Sequence, residues 1–214
     1  MRRESLIRHL IFDMDGTLAD TAKASVLACE RERAAFSLPK LEPEQVKRAI
    51  GIANPYFYEA LYPDYPVPLV HAYGEKVEIT EEALVHELGE ALLFPGVLKM
   101  LQRLKEMGVP LYIASTGSKE HVDAVLGATG ITHFFTEIRC SEPEKTAMVG
   151  RLLAGRDSRD WAMVGDRSKD WQAAKNNGVL SVGAAFGYCD ELERDGFDLI
   201  AETPDDVVNL VSRS

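Results

Sequence analysis

The chain has 214 residues, of which 46% are hydrophobic and 27% are charged, an ordinary balance for one globular domain with room for a smaller inserted one. Its formal net charge is −10, and no dense stripe of lysine and arginine offsets it, which excludes nucleic acid as an expected partner. The three cysteines are spread along the chain without a CxxC pair, which argues against a structural zinc site and favours a reducing compartment.

The first residues carry positive charge but do not form a targeting or membrane segment. Met1-Arg2-Arg3 precedes a short apolar stretch that Arg8, His9 and Asp13 interrupt. No run in the chain approaches the ~18 apolar residues of a membrane-spanning helix. We therefore expect a cytoplasmic protein without a membrane partner, and the sequence leaves its oligomeric state open.

The first predicted element is a short buried strand that ends in two acids. The apolar run Leu10-Ile11-Phe12 is followed by Asp13-Met14-Asp15-Gly16-Thr17. Side chains at positions i and i+2 of an extended backbone project to the same side, so we expect Asp13 and Asp15 to lie close together. Two like charges there cost free energy unless a cation, a shared proton or a reaction uses them. The alternative is a solvated turn that simply ends the strand.

The stretch between about residues 20 and 92 has a different texture. Helical patterns cover residues 22–36 and 81–92, and six prolines lie between them at positions 39, 43, 55, 63, 66 and 68. No convincing strand is present. We expect an α-helical insertion between the first strand and the rest of the sheet.

From residue 94 onward the pattern alternates between helix and strand. Strands are predicted at residues 109–114, 134–138, 161–164, 180–184 and, more weakly, 199–200. Helices are predicted at 97–107, after Ser118 as far as 127 or 130, at 145–153, at 170–176 and at 205–211. Alternation of this length predicts an α/β fold with a parallel sheet covered by helices on both faces.

Polar side chains follow several of these strands at their carboxyl ends, where open parallel sheets bind ligands. They are Asp13 and Asp15 after the first strand, Ser115 and Thr116 after the second, Asp166 and Asp170 after a later one, and Lys145 at a helix start. Each has an ordinary alternative as a helix cap or a solvated surface charge. Their arrival together at consecutive strand ends favours a functional site.

These residue types suit phosphoryl transfer. A carboxylate can attack phosphorus, and a neighbouring acid can protonate the leaving oxygen and later deprotonate water. The Ser115 hydroxyl and nearby N–H groups can hold phosphate oxygens, while Lys145 offsets negative charge. Asp166 and Asp170 can supply the oxygen ligands that Mg²⁺ prefers, and such a cation explains why four acids share one small site.

The same residues resemble the four motifs of the haloacid dehalogenase-like hydrolase superfamily: Asp13-Met14-Asp15-Gly16-Thr17, Ser115, Lys145, and Gly165-Asp166 with Asp170. The resemblance implies a Rossmann-like core at residues 1–19 and 92–214 and a helical cap domain at residues 20–91. It implies that Asp13 is the nucleophile and Asp15 the general acid and base. It also implies that Ser115, Thr116 and Lys145 bind the phosphate. The implied Mg²⁺ ligands are Asp13, the backbone carbonyl of Asp15, Asp166 and Asp170.

Further stretches resemble the phosphoglycolate phosphatase branch of that superfamily. They are Ile50-Gly51, Gly165-Asp166-Arg167, Asn177-Gly178 and Gly187-Tyr188. The chain departs from that branch at Thr146, where proline is usual, and at Cys189, where glycine is frequent. These departures bear on the substrate more than on the chemistry.

The expected function is hydrolysis of a small phosphorylated metabolite, with several alternatives open. The dehalogenating members lack an acid at the position of Asp15, so dehalogenation is not expected. Phosphoglycolate, a nucleoside monophosphate, pyrophosphate and a small sugar phosphate all fit as substrates. Asp20-Thr21 also resembles sugar phosphomutases, for which Lys47 and Arg48 are candidate sugar contacts. A non-catalytic phosphate-responsive module and a scaffold with a decayed site are the alternatives outside enzymes.

Overall fold

The computed structural model describes residues 7–142 and 144–212. The charged start considered for targeting (residues 1–6) and the last two residues of the predicted core lie outside the described residues, as does residue 143. Within these ranges the strands are β1 (His9–Phe12), β2 (Leu111–Ala114), β3 (Phe135–Arg139), β4 (Trp161–Gly165), β5 (Leu180–Ala184) and β6 (Leu199–Ala201).

These strands form one parallel sheet in the order β3-β2-β1-β4-β5-β6. Strand β1 pairs with β2 on one side, with Leu10 opposite Leu111, and with β4 on the other, with Leu10 opposite Ala162. The direction of winding therefore reverses at β1. Ligands of open α/β sheets bind outside the carboxyl ends of the strands at such a reversal, which is where Asp13 and Asp166 lie.

Helices flank the sheet and fill the connection between β1 and β2. They are α1 (Ala22–Arg33), α2 (Pro43–Ala49), α3 (Tyr56–Leu61), α4 (Val67–Leu88), α5 (Val97–Glu106), α6 (Lys119–Ala128), α7 (Lys145–Leu153), α8 (Ser168–Asn176), α9 (Glu191–Arg194) and α10 (Pro204–Ser212). Among the described residues, none of these helices is both long and apolar enough to cross a membrane.

Alternate residues of β1 anchor the sheet in two apolar clusters. Leu10 and Phe12 belong to the larger cluster, which includes residues of α5, α6 and α10. Ile11 belongs to the smaller one, with residues of α7 and α8. All three are fully buried, and each such side chain contributes about 1.5–3 kcal/mol by leaving water. Helices thus cover both faces, and the predicted α/β fold with a parallel sheet is confirmed.

The helical connection contains more structure than predicted. The helix expected at residues 81–92 begins at Val67, so this expectation was wrong in extent, and α2 and α3 were not predicted. Pro66 and Pro68 seemed to interrupt a helix, but they flank the start of α4. Proline is tolerated in the first helical turn because the N–H it lacks has no partner there. We refer to α1–α4 with their connections, residues 20–91, as the helical insertion.

Smaller differences occur at element ends. Strand β2 begins at Leu111, two residues later than predicted, and α8 begins at Ser168, two residues earlier. Helix α7 and strand β5 have the predicted bounds.

Candidate active site

Four of the sequence-predicted site residues form one buried cluster at the carboxyl ends of β1 and β4. The amino group of Lys145, at the first position of α7, lies 2.7 Å from Oδ2 of Asp13 and 2.6 Å from Oδ1 of Asp170. The Lys145 side chain is 4% exposed, so solvent screens neither contact. Burial opposes its charge, but the two carboxylates outweigh burial and raise the pKa of Lys145.

Asp170 has partners on both carboxylate oxygens. Oδ1 accepts from Lys145, and Oδ2 accepts from the backbone N–H groups of Asp166 and Arg167, both at 3.0 Å. This close approach requires glycine at position 165, since a Cβ there would lie 2.2 Å from Cγ of Asp170. Gly165 therefore allows α8 to begin directly over the end of β4.

Asp166 is the buried acid whose hydrogen bonding is incomplete. Its Oδ1 accepts from the Thr17 hydroxyl at 2.7 Å. Its Oδ2 is buried without a hydrogen bond, and Nε of Arg167 lies 3.3 Å away as an ion pair. Burial, followed by the charges of Asp13 and Asp170, holds the pKa of Asp166 well above its ordinary value. An incompletely paired buried carboxylate among other acids calls for a cation.

The carboxylates of three aspartates fit a metal ion. One oxygen each from Asp13, Asp166 and Asp170 lies within 4.8 Å of the others. Burial raises the pKa of Asp13 to about 7, against the opposing charge of Lys145. With one lysine among three buried carboxyl groups, a divalent cation would complete the balance of charge.

The turn after β1 packs directly against Asp166. Gly16 has a φ of +81°, in the left-handed region, and a Cβ there would lie 2.6 Å from Oδ2 of Asp166. The same turn is held by the backbone N–H of Tyr188, which donates to the Gly16 carbonyl at 2.8 Å. Thr17, next in the chain, then reaches Asp166.

Asp15 is not among the three aspartates that could hold a metal ion, and it pairs with a residue that sequence reasoning missed. Its Oδ1 lies 2.8 Å from Nε2 of His121, in the first turn of α6. Burial alone would raise the pKa of Asp15, but the charge and hydrogen bond of His121 outweigh burial and lower it. Burial opposes the charge of His121, yet Asp15 outweighs burial and raises the His121 pKa to about 9. The available signal was position: His121 follows the same strand as Ser115.

Ser115 and Thr116 lie in the turn after β2, and both are buried. The Ser115 hydroxyl accepts from the N–H of Gly117 at 3.1 Å. The Thr116 hydroxyl donates to the carbonyl of Gly51, in the helical insertion, at 3.3 Å. Thr116 therefore contacts the helical insertion, and the hydrogen bonds of Ser115 and Thr116 do not reach the aspartate cluster.

A cavity of about 770 Å³ adjoins Asp15. Its wall combines residues of the turn after β2 and of α6 with residues of the helical insertion. Seven acids line it, namely Asp15, Glu75, Glu78, Glu81, Glu82, Glu120 and Glu142, and the described lining residues include neither lysine nor arginine. Burial raises the pKa of Glu78 and Glu81, whose hydrogen-bond partners are the neutral side chains of Asn54 and Ser25.

The carboxylates and the lysine at the carboxyl ends of β1 and β4 are residue types that suit phosphoryl transfer. The model of the family described as haloacid dehalogenase-like hydrolase matches residues 10–184, most of the chain. The chain belongs to this family, as the motifs predicted.

Within the family the chain is similar to phosphoglycolate phosphatases. One from Agrobacterium fabrum is 30% identical over 220 residues, which cover 95% of this chain and 94% of that protein. Another, from Haemophilus influenzae, is 31% identical over 193 residues, which cover 83% and 85%. A crystal structure of a predicted phosphoglycolate phosphatase from Haemophilus somnus has a TM-score of 0.85 at 21% identity, covering 95% and 97%. The chain is a phosphoric monoester hydrolase of this family, as expected from its motifs.

Proposed function

We propose that this chain hydrolyses a small phosphomonoester in a Mg²⁺-dependent reaction through an aspartyl-phosphate on Asp13. The observation that carries the proposal is the buried cluster in which Lys145 bridges Asp13 and Asp170 while Oδ2 of Asp166 lacks a hydrogen bond. Membership of the hydrolase family and similarity to phosphatases support the same chemistry.

The proposed reaction has two displacements, each with Asp13 and Asp15 in defined roles. A carboxylate oxygen of Asp13 attacks phosphorus, the bond from phosphorus to the ester oxygen breaks, and Asp15 gives that oxygen a proton. Asp15 then takes a proton from water as the water oxygen attacks phosphorus and the bond to Asp13 breaks. Lys145, Ser115 and Thr116 would bind the phosphate oxygens, although Thr116 first has to leave the Gly51 carbonyl.

The Mg²⁺ ligands in this proposal are Asp13, the backbone carbonyl of Asp15, Asp166 and Asp170. When bound, the ion supplies positive charge that offsets the phosphate and the surrounding carboxylates. The buried oxygen of Asp166 without a hydrogen bond supports this assignment.

Replacing Asp166 with asparagine tests the metal site without relying on activity. We expect Asp166→Asn to stabilise the metal-free protein by about 2 kcal/mol. The neutral amide cannot carry the buried negative charge, which hydrogen bonds and nearby cations only partly offset in the wild type. This stabilisation corresponds to a rise in Tm of roughly 4–8 °C for a chain of this size. The same variant should lose the increase in Tm that Mg²⁺ gives the wild type.

The matched control for this experiment is Asp123→Asn, which changes an exposed aspartate of α6. It should leave both the metal-free Tm and the Mg²⁺ response within error of wild type. A Mg²⁺ titration of Asp166→Asn that superimposes on the wild-type titration would remove Asp166 from the proposed ligands.

We further propose that residues 20–91 act as a cap over a core of residues 1–19 and 92–214. The cavity supports this division, since its wall is shared between the helical insertion and the core. A cap that closes there would exclude water and contact the leaving group.

We also propose a cytoplasmic location, which the free cysteines Cys29, Cys140 and Cys189 support.

Phosphoglycolate is the first candidate substrate because it is the one named for the relatives. The charge of the cavity wall favours a second candidate class. A carboxylate on the leaving group would meet Glu78 and Glu81, whereas a neutral or cationic leaving group would not be repelled. The nearby cations already have partners: His121 pairs with Asp15, Lys169 donates to the Gly51 carbonyl and Arg167 donates to the Lys47 carbonyl.

A panel of phosphate esters ranked by kcat/KM with Mg²⁺ tests the function and separates these candidates. We expect a sugar phosphate or an aminoalkyl phosphate to exceed phosphoglycolate by at least about 10-fold, which is about 1.4 kcal/mol of differential binding. If phosphoglycolate had the highest kcat/KM, the argument from the charge of the cavity wall would be wrong. Phosphoglycolate would then be the proposed substrate, as it is for the named relatives. Absence of turnover of every panel member and of a generic aryl phosphate would refute the phosphatase proposal.

The other substrates, a phosphomutase activity and a phosphate-responsive module can be distinguished by extending the same assay. A nucleoside monophosphate and pyrophosphate are members of the panel. A phosphomutase would depend on a bisphosphate activator, whereas a phosphatase releases phosphate without one. Lys47, a candidate sugar contact, has its amino group 4.6 Å from the centre of the Tyr188 ring. A phosphate-responsive module would keep its aspartyl-phosphate, while the proposed enzyme hydrolyses it.

A further inference from the structure

The carboxyl group of Asp15 is oriented by a direct contact with His121. Nε2 of His121 lies 2.8 Å from Oδ1 of Asp15, and the two side chains are only 26% and 13% exposed. Oδ1 of Asp15 accepts a hydrogen bond whether or not Oδ2 carries the proton that the proposed reaction transfers, so His121 donates from Nε2. Limited solvent access makes this contact stronger than an exposed pair of the same length.

The turn after β2 holds His121 in place. Ser118 caps α6, and its hydroxyl accepts the backbone N–H of His121 at 3.1 Å. The same turn contains Ser115, whose hydroxyl accepts the N–H of Gly117. One short segment therefore directs the proposed phosphate-binding hydroxyl and the imidazole toward the same end of the sheet.

The other side of His121 is the cavity. His121 and Asp15 both line it, together with Glu81 of α4, which accepts a hydrogen bond from Ser25 of α1. The contact between His121 and Asp15 therefore lies where a leaving group bound in the cavity would meet the proposed general acid.

We infer that His121 is a positioning residue for the proton transfer by Asp15. By donating to Oδ1, His121 sets the rotation of the carboxyl group, so that the second oxygen exchanges the proton with the leaving group. The inference rests on the proposed function, in which Asp15 is the general acid and base. The alternative is a purely structural contact that ties α6 to the loop after β1.

The two alternatives differ in how the effect of a substitution depends on the leaving group. An alkoxide leaving group needs a proton as it departs, whereas p-nitrophenolate departs readily without one. We expect His121→Ala to lower kcat/KM on the best alkyl phosphate of the panel by about 100-fold, because kcat/KM reports the displacement in which the leaving group departs. The loss of kcat/KM on p-nitrophenyl phosphate should be at most about 10-fold, since the later attack of water on the aspartyl-phosphate is common to both substrates.

Two further variants test whether the effect of His121 depends on its N–H donor and on Asp15. His121→Gln keeps an N–H donor and should recover about 10-fold of the alkyl-phosphate loss. In an Asp15→Asn background, His121→Ala should change kcat/KM by less than about 2-fold, because its effect acts through Asp15. His133→Ala is the matched control, since His133 is exposed and its Nδ1 bonds to the Gly130 carbonyl in the segment before β3.

Failure of the inference and failure of the proposed function give different results. Equal losses on the alkyl and aryl substrates, or no loss on either, in an active protein would overturn the role of His121 and leave the phosphatase proposal standing. A wild type that hydrolyses neither substrate would overturn the proposed function itself. If His121→Ala does not fold, the same comparison is made with His121→Gln, whose residual loss should again be larger on the alkyl substrate; equal losses or none would overturn the role.

Discussion

Replacing Asp13 with asparagine is expected to lower kcat by on the order of 10⁵-fold while leaving the protein folded. The amide is not a nucleophile, so the proposed aspartyl-phosphate cannot form. Folding should survive because burial raises the pKa of Asp13 to about 7, so the negative charge is only marginally favoured over a neutral group of the same shape. Lys145 also keeps its contact with Asp170 at 2.6 Å.

The test compares the kcat of wild type, Asp13→Asn and Asp123→Asn on the best substrate of the panel. Asp123→Asn should retain full activity, because Asp123 is exposed on α6. An acid quench during turnover should recover protein-bound phosphate from the wild type and none from Asp13→Asn. Substantial turnover by Asp13→Asn would refute the assignment of the nucleophile.

Replacing Lys145 with methionine is expected to have the largest effect on stability. Lys145 is the cation that bridges Asp13 and Asp170, and its removal leaves buried carboxylates without their partner. Breaking a buried ion pair in this way costs about 3–5 kcal/mol, or roughly 6–20 °C in Tm for a chain of this size. Phosphate binding should fail in the same variant, so we expect kcat/KM to fall more than about 10³-fold.

The pH dependence of this variant gives a second measurement. Without Lys145, burial raises the folded-state pKa of Asp13 further above its unfolded value. A raised folded-state pKa adds stability that is fully present below the unfolded pKa and is lost as the pH rises through the folded one. Lys145→Met should therefore regain stability relative to wild type as the pH falls from about 7 toward about 4.

Two further variants control for the loss of charge. Lys175→Met changes an exposed lysine of α8 and should leave Tm within about 1 °C of wild type. Adding Asp13→Asn to Lys145→Met should restore part of the lost stability, because it removes one of the unpaired acids. Equal Tm values for Lys145→Met and Lys175→Met would show that the buried pairs contribute little.

The fold could be predicted from the sequence because its signals are local. The apolar runs of β1, β4 and β5 and the helical periodicity of α5 and α7 depend on neighbouring residues alone. The helical insertion was harder to predict because short helices such as α2 and α3 depend on packing against other elements. The start of α4 was missed because proline disfavours a helix interior yet suits its first turn.

The positions of the candidate site residues could also be inferred from the sequence, but their pairing could not. Asp13, Asp166 and Asp170 were recognisable as strand-end and helix-start acids by their place in the pattern. The contacts of Lys145 with Asp13 and Asp170 join residues that are far apart in the chain. Such contacts depend on strand order and side-chain rotation, and neither is encoded in a local pattern.

Asp15 shows the same contrast between a position that the sequence predicts and a partner that it does not. The spacing of two positions predicted that Asp13 and Asp15 would lie close together. In the structure their hydrogen bonds run in different directions, Asp13 toward Lys145 and Asp15 toward His121. This separation of partners supports the proposed roles, in which Asp13 attacks phosphorus and Asp15 moves a proton.

The sequence by itself determined the α/β fold, the hydrolase family and the acids at the strand ends, because each follows from local pattern and residue type. Only the tertiary structure decided which acid receives the charge of Lys145, which retains a buried oxygen without a hydrogen bond and which contacts His121. The charge of the cavity wall also came only from the structure, since its residues belong to separate elements of the core and the helical insertion. Pairings and surfaces of this kind form only when distant segments pack together, so no local pattern could reveal them.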